Sequence, residues 1–291
     1  MATTGNENLL MTAPVLASRC PTFAPSLKEG MTDWSISTVY GTASVKGNLT
    51  QIHRNILDAI FGFALAKKPM HTGALEILID PYTIATKTGS SRDYKWLKSK
   101  LKDMKEASVD IVDASGLHHH GGIVSEWREA NRRVAMPGGA LRGDRPLLAI
   151  TISGAWMRIF NSTLTVGYRD LIQSIAELDS GVLQALVRYC LTHRELNKEL
   201  DEILREIGAI DTNANKRKHE RARKTVIDAD LSDFGIRVRN GIVFYKQHSD
   251  VRFKNPTSDT ICAESDTICA ASDTICAVPQ ENQEPQALVR T

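Results

Sequence analysis

The chain has 291 residues, of which 42% are hydrophobic and 24% are charged, with a formal net charge of +2. This is ordinary for a soluble globular protein, and the length allows two domains plus tails. No run of 18 apolar residues, no signal-peptide pattern and no CxxC pair among the five cysteines is present, which excludes a membrane span, a secretory leader and a disulfide framework. We therefore expect a cytoplasmic protein.

The small net charge is an average of unlike parts. Residues 255–291 carry a net charge of −5, and residues 1–254 carry +7. A basic body with an acidic tail is typical of a nucleic-acid-binding protein.

Residues 1–47 are rich in Thr, Ser, Gly, Ala and Pro and show no sustained period, which predicts a mostly disordered arm with local order around Trp34–Tyr40. A first helix is expected from Asn48, which can act as its cap together with Gln51 three residues later. A strand is predicted over 75–79, a short helix over 81–88, and a third helix after Ser90 or Ser91. Two strand-like runs, 109–112 and 123–127, complete a winged helix-turn-helix domain over 48–160.

The third helix of this domain has one apolar and one basic side. Arg92, Lys95 and Lys98 lie on the basic side and are candidate DNA contacts. The alternative is that this winged helix faces a partner protomer.

Residues 135–146 hold three Gly and two Pro and predict a loop, followed by a strand over 147–152 and a helical turn over 155–160. A second winged helix is predicted over 161–254. It begins with an apolar helix around 182–190 and a second helical run over 196–207 that stops at Gly208. It closes with two β-prone runs flanking Asn240-Gly241, the dipeptide that a type I′ hairpin turn prefers.

Between the second helix and the hairpin lies a basic run, residues 215–224, with six Lys or Arg and one Glu. Such a run is often a solvated helix face, but its place before a hairpin favours a DNA recognition helix. The candidate DNA-binding residues here are Lys216, Arg217, Lys218, Arg221, Arg223 and Lys224, with Arg237 and Arg239 in the wing. Lysines are expected on phosphates and Arg217, Arg221 or Arg223 on guanine, although periodicity does not say which arginine enters the groove.

The predicted fold class is therefore α+β but mainly helical, with two tandem winged helix-turn-helix domains, a disordered N-terminal arm and a disordered acidic tail over 255–291. The tail contains Ser-Asp-Thr-Ile-Cys-Ala three times, at 258–263, 265–270 and 272–277. Seven codons span 21 bases, two turns of B-DNA, so the gene itself is a candidate array of binding sites for this protein. The alternative is slippage duplication.

Several chemistries lack their sequence signatures. No P-loop, dinucleotide fingerprint, zincin motif or nucleophile elbow is present. Adjacent His118, His119 and His120 point in different directions and lack finger spacing, which indicates a flexible wing tip rather than a zinc site. We expect no enzyme activity, no metal and no cofactor.

Two successive winged helices, the second with Arg188-Tyr189 ending one helix and Glu202-Ile-Leu-Arg-Glu-Ile-Gly208 ending the next, resemble iteron-binding plasmid replication initiators of the RepA/TrfA type. The resemblance covers residues 48–253. It implies binding to direct repeats in double-stranded origin DNA, origin opening, recruitment of the host initiator and helicase, and copy control by a homodimer in equilibrium with the monomer. The alternatives are a winged-helix regulator that binds one palindrome and a rolling-circle strand-cleaving enzyme, for which the required His-hydrophobic-His pair is missing.

Overall fold

A computed structural model describes residues 12–27, 33–89, 94–135, 144–210 and 216–255. Its helices are α1 Leu16–Arg19, α2 Gln51–Gly62, α3 Pro81–Lys87, α4 Tyr94–Glu106, α5 Gly154–Ser162, α6 Ile172–Glu177, α7 Gly181–Leu191, α8 Leu200–Glu206 and α9 Lys216–Ile227. Its strands are β1 Ala13–Pro14, β2 Asp33–Thr38, β3 Gly41–Lys46, β4 Ala66–Pro69, β5 Leu75–Ile79, β6 Ser108–Asp113, β7 His118–Gly121, β8 Val124–Ala135, β9 Asp144–Ile152, β10 Thr165–Gly167, β11 Glu195–Glu199, β12 Ile236–Arg239, β13 Ile242–Lys246 and β14 Arg252–Lys254.

These strands form four sheets. The strand orders are β1-β10-β14, β11-β13-β12, β2-β3-β6-β7 and β4-β5-β9-β8, and neighbouring strands within every sheet run antiparallel. The predicted fold class, mainly helical with tandem winged helices, is therefore wrong, because sheets make up as much of the architecture as helices do. The sequence reading missed several short strands that pair across long stretches of chain, such as β10 with β1 and β14.

The disorder predicted for the arm at 1–47 is also wrong for its described part, apart from the order expected around Trp34–Tyr40, where β2 lies. Val15, Cys20, Phe23 and Val45 are almost fully buried, and β1 pairs with β10 more than 150 residues later. The small and polar residues of this segment give no local pattern that predicts order, because the contacts that stabilise it come from distant parts of the chain. Residues 1–11 of the arm and the tail from 256 lie outside the described residues.

The first long helix differs in detail from its prediction. The cap of α2 is Thr50 rather than Asn48, and the Thr50 backbone N–H donates to Nδ1 of His53 at 3.0 Å. Nearly every side chain of α2 is buried, including its polar ones. A helix that is buried all round lies at the centre of the molecule rather than on one side of it.

Several other local predictions are confirmed. Strand 75–79, the helix that begins at Pro81 and α5 lie where the sequence places them. The loop predicted over 135–146 is shorter, because β8 runs to Ala135 and β9 begins at Asp144. The predicted helical run from Leu196 begins only at Leu200, since Glu195–Glu199 pairs with β13 as a strand.

The histidine run is not a flexible tip. Residues His118–Gly121 form β7, which pairs with β6. His119 is buried, whereas His118 and His120 lie on the opposite face against Asp110. Within the described ranges no group of three or more His, Cys, Asp or Glu side chains is placed to hold a metal ion.

The hydrophobic core is continuous from the amino-terminal strands to β13. The domain boundary predicted near residue 160 stays a prediction. No described helix has the length and apolar character needed to cross a membrane.

Candidate nucleic-acid interface

The basic run folds as α9, and helix geometry sorts its side chains. Ala222 and Val226 are buried against the core. With 3.6 residues per turn, the side opposite them carries Arg217, Arg221 and Lys224, all exposed. Lys216 and Lys218 are exposed on the two flanks. We call Arg217, Arg221 and Lys224 the outward stripe of α9.

Arg223 is placed differently from the other arginines. Its guanidinium donates to Asp201 of α8, and His219, one turn earlier on α9, lies 3.2 Å from the same carboxylate. Arg223 therefore attaches α9 to α8 and does not belong to the outward stripe.

The hairpin turn lies against these same elements. The Gly241 carbonyl accepts a hydrogen bond of 2.8 Å from Leu200 N–H at the start of α8, and a methyl group at Gly241 would contact Arg223. Asn240 and Gly241 have φ of 51° and 77°, which confirms the predicted type I′ turn. The hairpin, α8 and α9 thus form one interlocked group.

The wing arginines share the outer face of the three-stranded sheet. Arg237 and Arg239 are both exposed and lie opposite Phe244 and Ile242 of β13. Asn197 of β11 lies on the other side of Phe244 in the same row. Phe244 is 38% exposed, so the row Arg237–Phe244–Asn197 presents a cation, a ring and an amide to solvent.

The upstream basic helix, α4, presents its charges in another way. Lys98 donates to Glu129 of β8 at 3.2 Å and lies 4.3 Å from the centre of the Tyr94 ring. Burial opposes the charged amine of Lys98, but the hydrogen bond to Glu129 outweighs it and raises the pKa. Lys102 pairs with Glu106, Lys105 lies over the Trp127 ring, and Lys95 is exposed. Arg92 lies outside the described residues.

Sequence reasoning missed Asp201, which orients α9. Its position in the first turn of a helix is a common one for an acidic residue. The two partners on α9 are 18 and 22 residues away, and nothing in the local pattern predicts that they meet.

No family model and no curated protein matches the chain. A search of solved structures matches a crystal structure of a selenomethionine derivative of domains 2 and 3 of RctB, with a TM-score of 0.50 and 11% identity over 82% of this chain and 100% of that one. A second crystal structure of RctB domains 2–3 matches with a TM-score of 0.39 and 8% identity, over 86% of this chain and 99% of that one. The first likeness shows a shared fold and gives no support to the finer RepA/TrfA assignment.

Proposed function

We propose that this chain is a replication initiator that binds directly repeated sites in double-stranded origin DNA through α9 and the β12–β13 hairpin. The observation that carries the proposal is the outward stripe of α9. Three cations, Arg217, Arg221 and Lys224, project away from the core on a helix that the hairpin flanks. A helix of this kind fits a major groove, and an adjacent hairpin fits the neighbouring backbone.

The fold likeness supports the same function. RctB is a replication initiator, and its domains 2 and 3 share the fold of this chain. At 11% identity this supports the class of protein and none of its individual contacts.

The proposal divides the basic residues by position. Arg217 and Arg221 are the base-reading candidates, because an arginine can donate two hydrogen bonds to the O6 and N7 atoms of guanine. Lys216, Lys218 and Lys224, with Arg237 and Arg239, contact phosphates. Arg223 positions the helix through Asp201.

Origin opening, in this proposal, proceeds without nucleotide hydrolysis by the chain itself. Deforming a 20–30 base-pair site costs of order 1–6 kcal/mol, which several bound protomers can supply together. A host initiator and helicase would then extend the opening, and a monomer–dimer equilibrium would set copy number.

A footprint of the purified protein on its own gene and flanking DNA tests the proposal. Protection repeating every 21 base pairs, including the codons for residues 258–277, is the expected result. One protected palindrome upstream of the gene would instead identify a transcriptional regulator, and nicking of a supercoiled origin plasmid in Mg²⁺ would identify a nuclease.

Single substitutions then test the assignment of roles. Arg217→Ala and Arg221→Ala should each cost about 1–3 kcal/mol of binding free energy and relax specificity at one base position. The matched control is Lys102→Ala on α4, whose partner Glu106 lies on the same helix, and it should bind like the unmodified chain. Normal binding by both arginine variants would show that α9 is not the recognition helix.

A further inference from the structure

The centre of the molecule contains two arginines and one aspartate. Arg54 and Asp58 lie one turn apart on α2, and Arg188 lies on α7; their exposed fractions are 2%, 0% and 2%. Arg54 Nε and Arg188 Nε each lie 2.8 Å from a different oxygen of Asp58. Within the described part of the chain, Asp58 is the only carboxylate that either guanidinium contacts.

The remaining neighbours of these arginines are neutral. Arg188 donates to the side-chain oxygens of Gln51 and Asn55, and Arg54 donates to Ser18 and Tyr168. Burial, followed by the nearby Asp58 charge, raises the pKa of Tyr168 to about 12, so its hydroxyl keeps its proton at neutral pH. The group therefore has an uncompensated charge of +1 in the core, which is unfavourable in a low-dielectric interior.

The hydrogen bonds of the two arginines also indicate that an acceptor is missing. A guanidinium has five N–H donors. Arg54 makes four hydrogen bonds and Arg188 makes four. Among the described residues, one N–H on Arg54 Nη1 and one on Arg188 Nη2 lack an acceptor.

A small cavity lies beside both arginines. Its volume is about 20 Å³, and Arg54, Arg188, Gln51, Ser18 and Phe23 are among the residues that line it. This is room for one particle the size of a water molecule.

We propose that this cavity is a binding site for one small monovalent anion of the size of chloride, held by Arg54 and Arg188 between α2 and α7. The anion supplies the missing negative charge and accepts the unused N–H groups. Because α2 and α7 lie in different halves of the chain, its binding stabilises the contact between them. The proposal does not depend on DNA binding.

Thermal unfolding of the full chain in sodium chloride and in sodium gluconate, at matched ionic strength, is the test. Gluconate is a much bulkier anion than chloride. With chloride at about ten times its dissociation constant, the Tm should rise by about 3–6 °C relative to gluconate.

Gln51→Glu is the decisive variant. It places a carboxylate at the atom that already accepts from Arg188 at 3.0 Å, so the anion is no longer needed. The variant should lose the difference between chloride and gluconate, whereas a general effect of anions on protein surfaces would remain in it. Equal shifts in the unmodified chain and in this variant would overturn the proposal, as would no shift in the unmodified chain.

The Gln51 amide also donates to Phe23 and Ala24 carbonyls, so this variant carries a folding risk. Asn55→Asp places a negative charge on the other side of Arg188 without affecting those bonds. This variant should also lose the Tm difference between chloride and gluconate, and a retained difference would contradict the proposal. In a crystal soaked in bromide, an anomalous peak within hydrogen-bond distance of both guanidinium groups is expected. Bromide density elsewhere but none in the cavity would mean that water occupies the site.

Discussion

Two regions of the molecule share a set of elements in the same relative order, although the first also contains β6 and β7, and they differ in their distribution of charge. In the amino-side unit, α2 to β9, a helix pair α3–α4 precedes the hairpin β8–β9, and β5 pairs with the second hairpin strand. In the carboxyl-side unit, α7 to β13, the pair α8–α9 precedes the hairpin β12–β13, and β11 likewise pairs with the second hairpin strand. Both third helices, α4 and α9, are rich in lysine or arginine.

The difference lies in what surrounds the basic helices. On α4, Lys100 is buried against Asp103, and Lys98 meets Glu129 of the long hairpin. On α9, the outward stripe is exposed, Asp201 of α8 pairs with Arg223 on the inner flank, and Glu220 of α9 itself pairs with Lys216. Composition alone therefore does not identify a nucleic-acid surface, because carboxylates from other elements pair with some of the cations, as Glu129 and Asp201 do.

The largest expected effect tests the connection between the units. Asp58→Asn leaves Arg54 and Arg188 buried without a carboxylate and should lower the free energy of unfolding by about 3–5 kcal/mol, measured by urea denaturation. Glu106→Gln is the control, since both side chains of its pair with Lys102 are 64% exposed and the loss of this pair should cost much less. Equal losses of unfolding free energy in the two variants would show that the buried network contributes no more to stability than the control pair does.

The next effect separates the two basic helices. Lys218→Ala with Lys224→Ala should weaken DNA binding about 10–100-fold and reduce the slope of log K against log salt by about 2. The matched pair on α4, Lys95→Ala with Lys102→Ala, should leave the slope unchanged. Fluorescence anisotropy over a salt series measures both, and a similar loss in the two pairs would mean that α4 contacts DNA as well.

Part of the acid sensitivity of the fold should come from the carboxyl-side unit. His193 follows α7, and burial together with Arg19 lowers its pKa from the ordinary 6.5 to about 4. Below pH 6.5 the unfolded chain takes up a proton that the folded chain does not, so stability should fall as the pH drops from 6.5 towards 4. The loss attributable to this group is about 2 kcal/mol, after allowance for its partial exposure. His193→Gln should flatten this part of the profile; an unchanged profile would assign the acid sensitivity elsewhere.

The smallest expected effect distinguishes an arginine that positions α9 from an arginine that contacts a DNA base. Asp201→Asn and Arg223→Ala should each lower the free energy of unfolding by about 1 kcal/mol, because the pair that they break is partly exposed. Arg221→Ala, on the outward stripe, should leave stability unchanged while weakening DNA binding. If Arg223→Ala instead leaves stability intact and changes base preference, then Arg223 reads the DNA.

Local patterns in the sequence determined a good part of this protein. The 3.6-residue period of apolar residues predicted α7. The Asn240-Gly241 pair predicted the hairpin turn, because few other residues adopt two successive positive φ angles. These features could be predicted because the interactions that cause them involve residues only a few positions apart.

Only the tertiary structure decided the rest. Strands β10 and β11 have no local signature, because their hydrogen-bond partners are distant in the chain. Asp201 pairs with Arg223, so Arg223 does not belong to the outward stripe of α9. Glu129 pairs with Lys98 of α4 in the same way. In the sequence, Arg54 and Asp58 stand four residues apart, as on an ordinary exposed polar face of a helix, yet nearly all of α2 is buried. A periodic pattern shows which side chains share a face, but what covers that face, and with which charge, depends on residues far away in sequence.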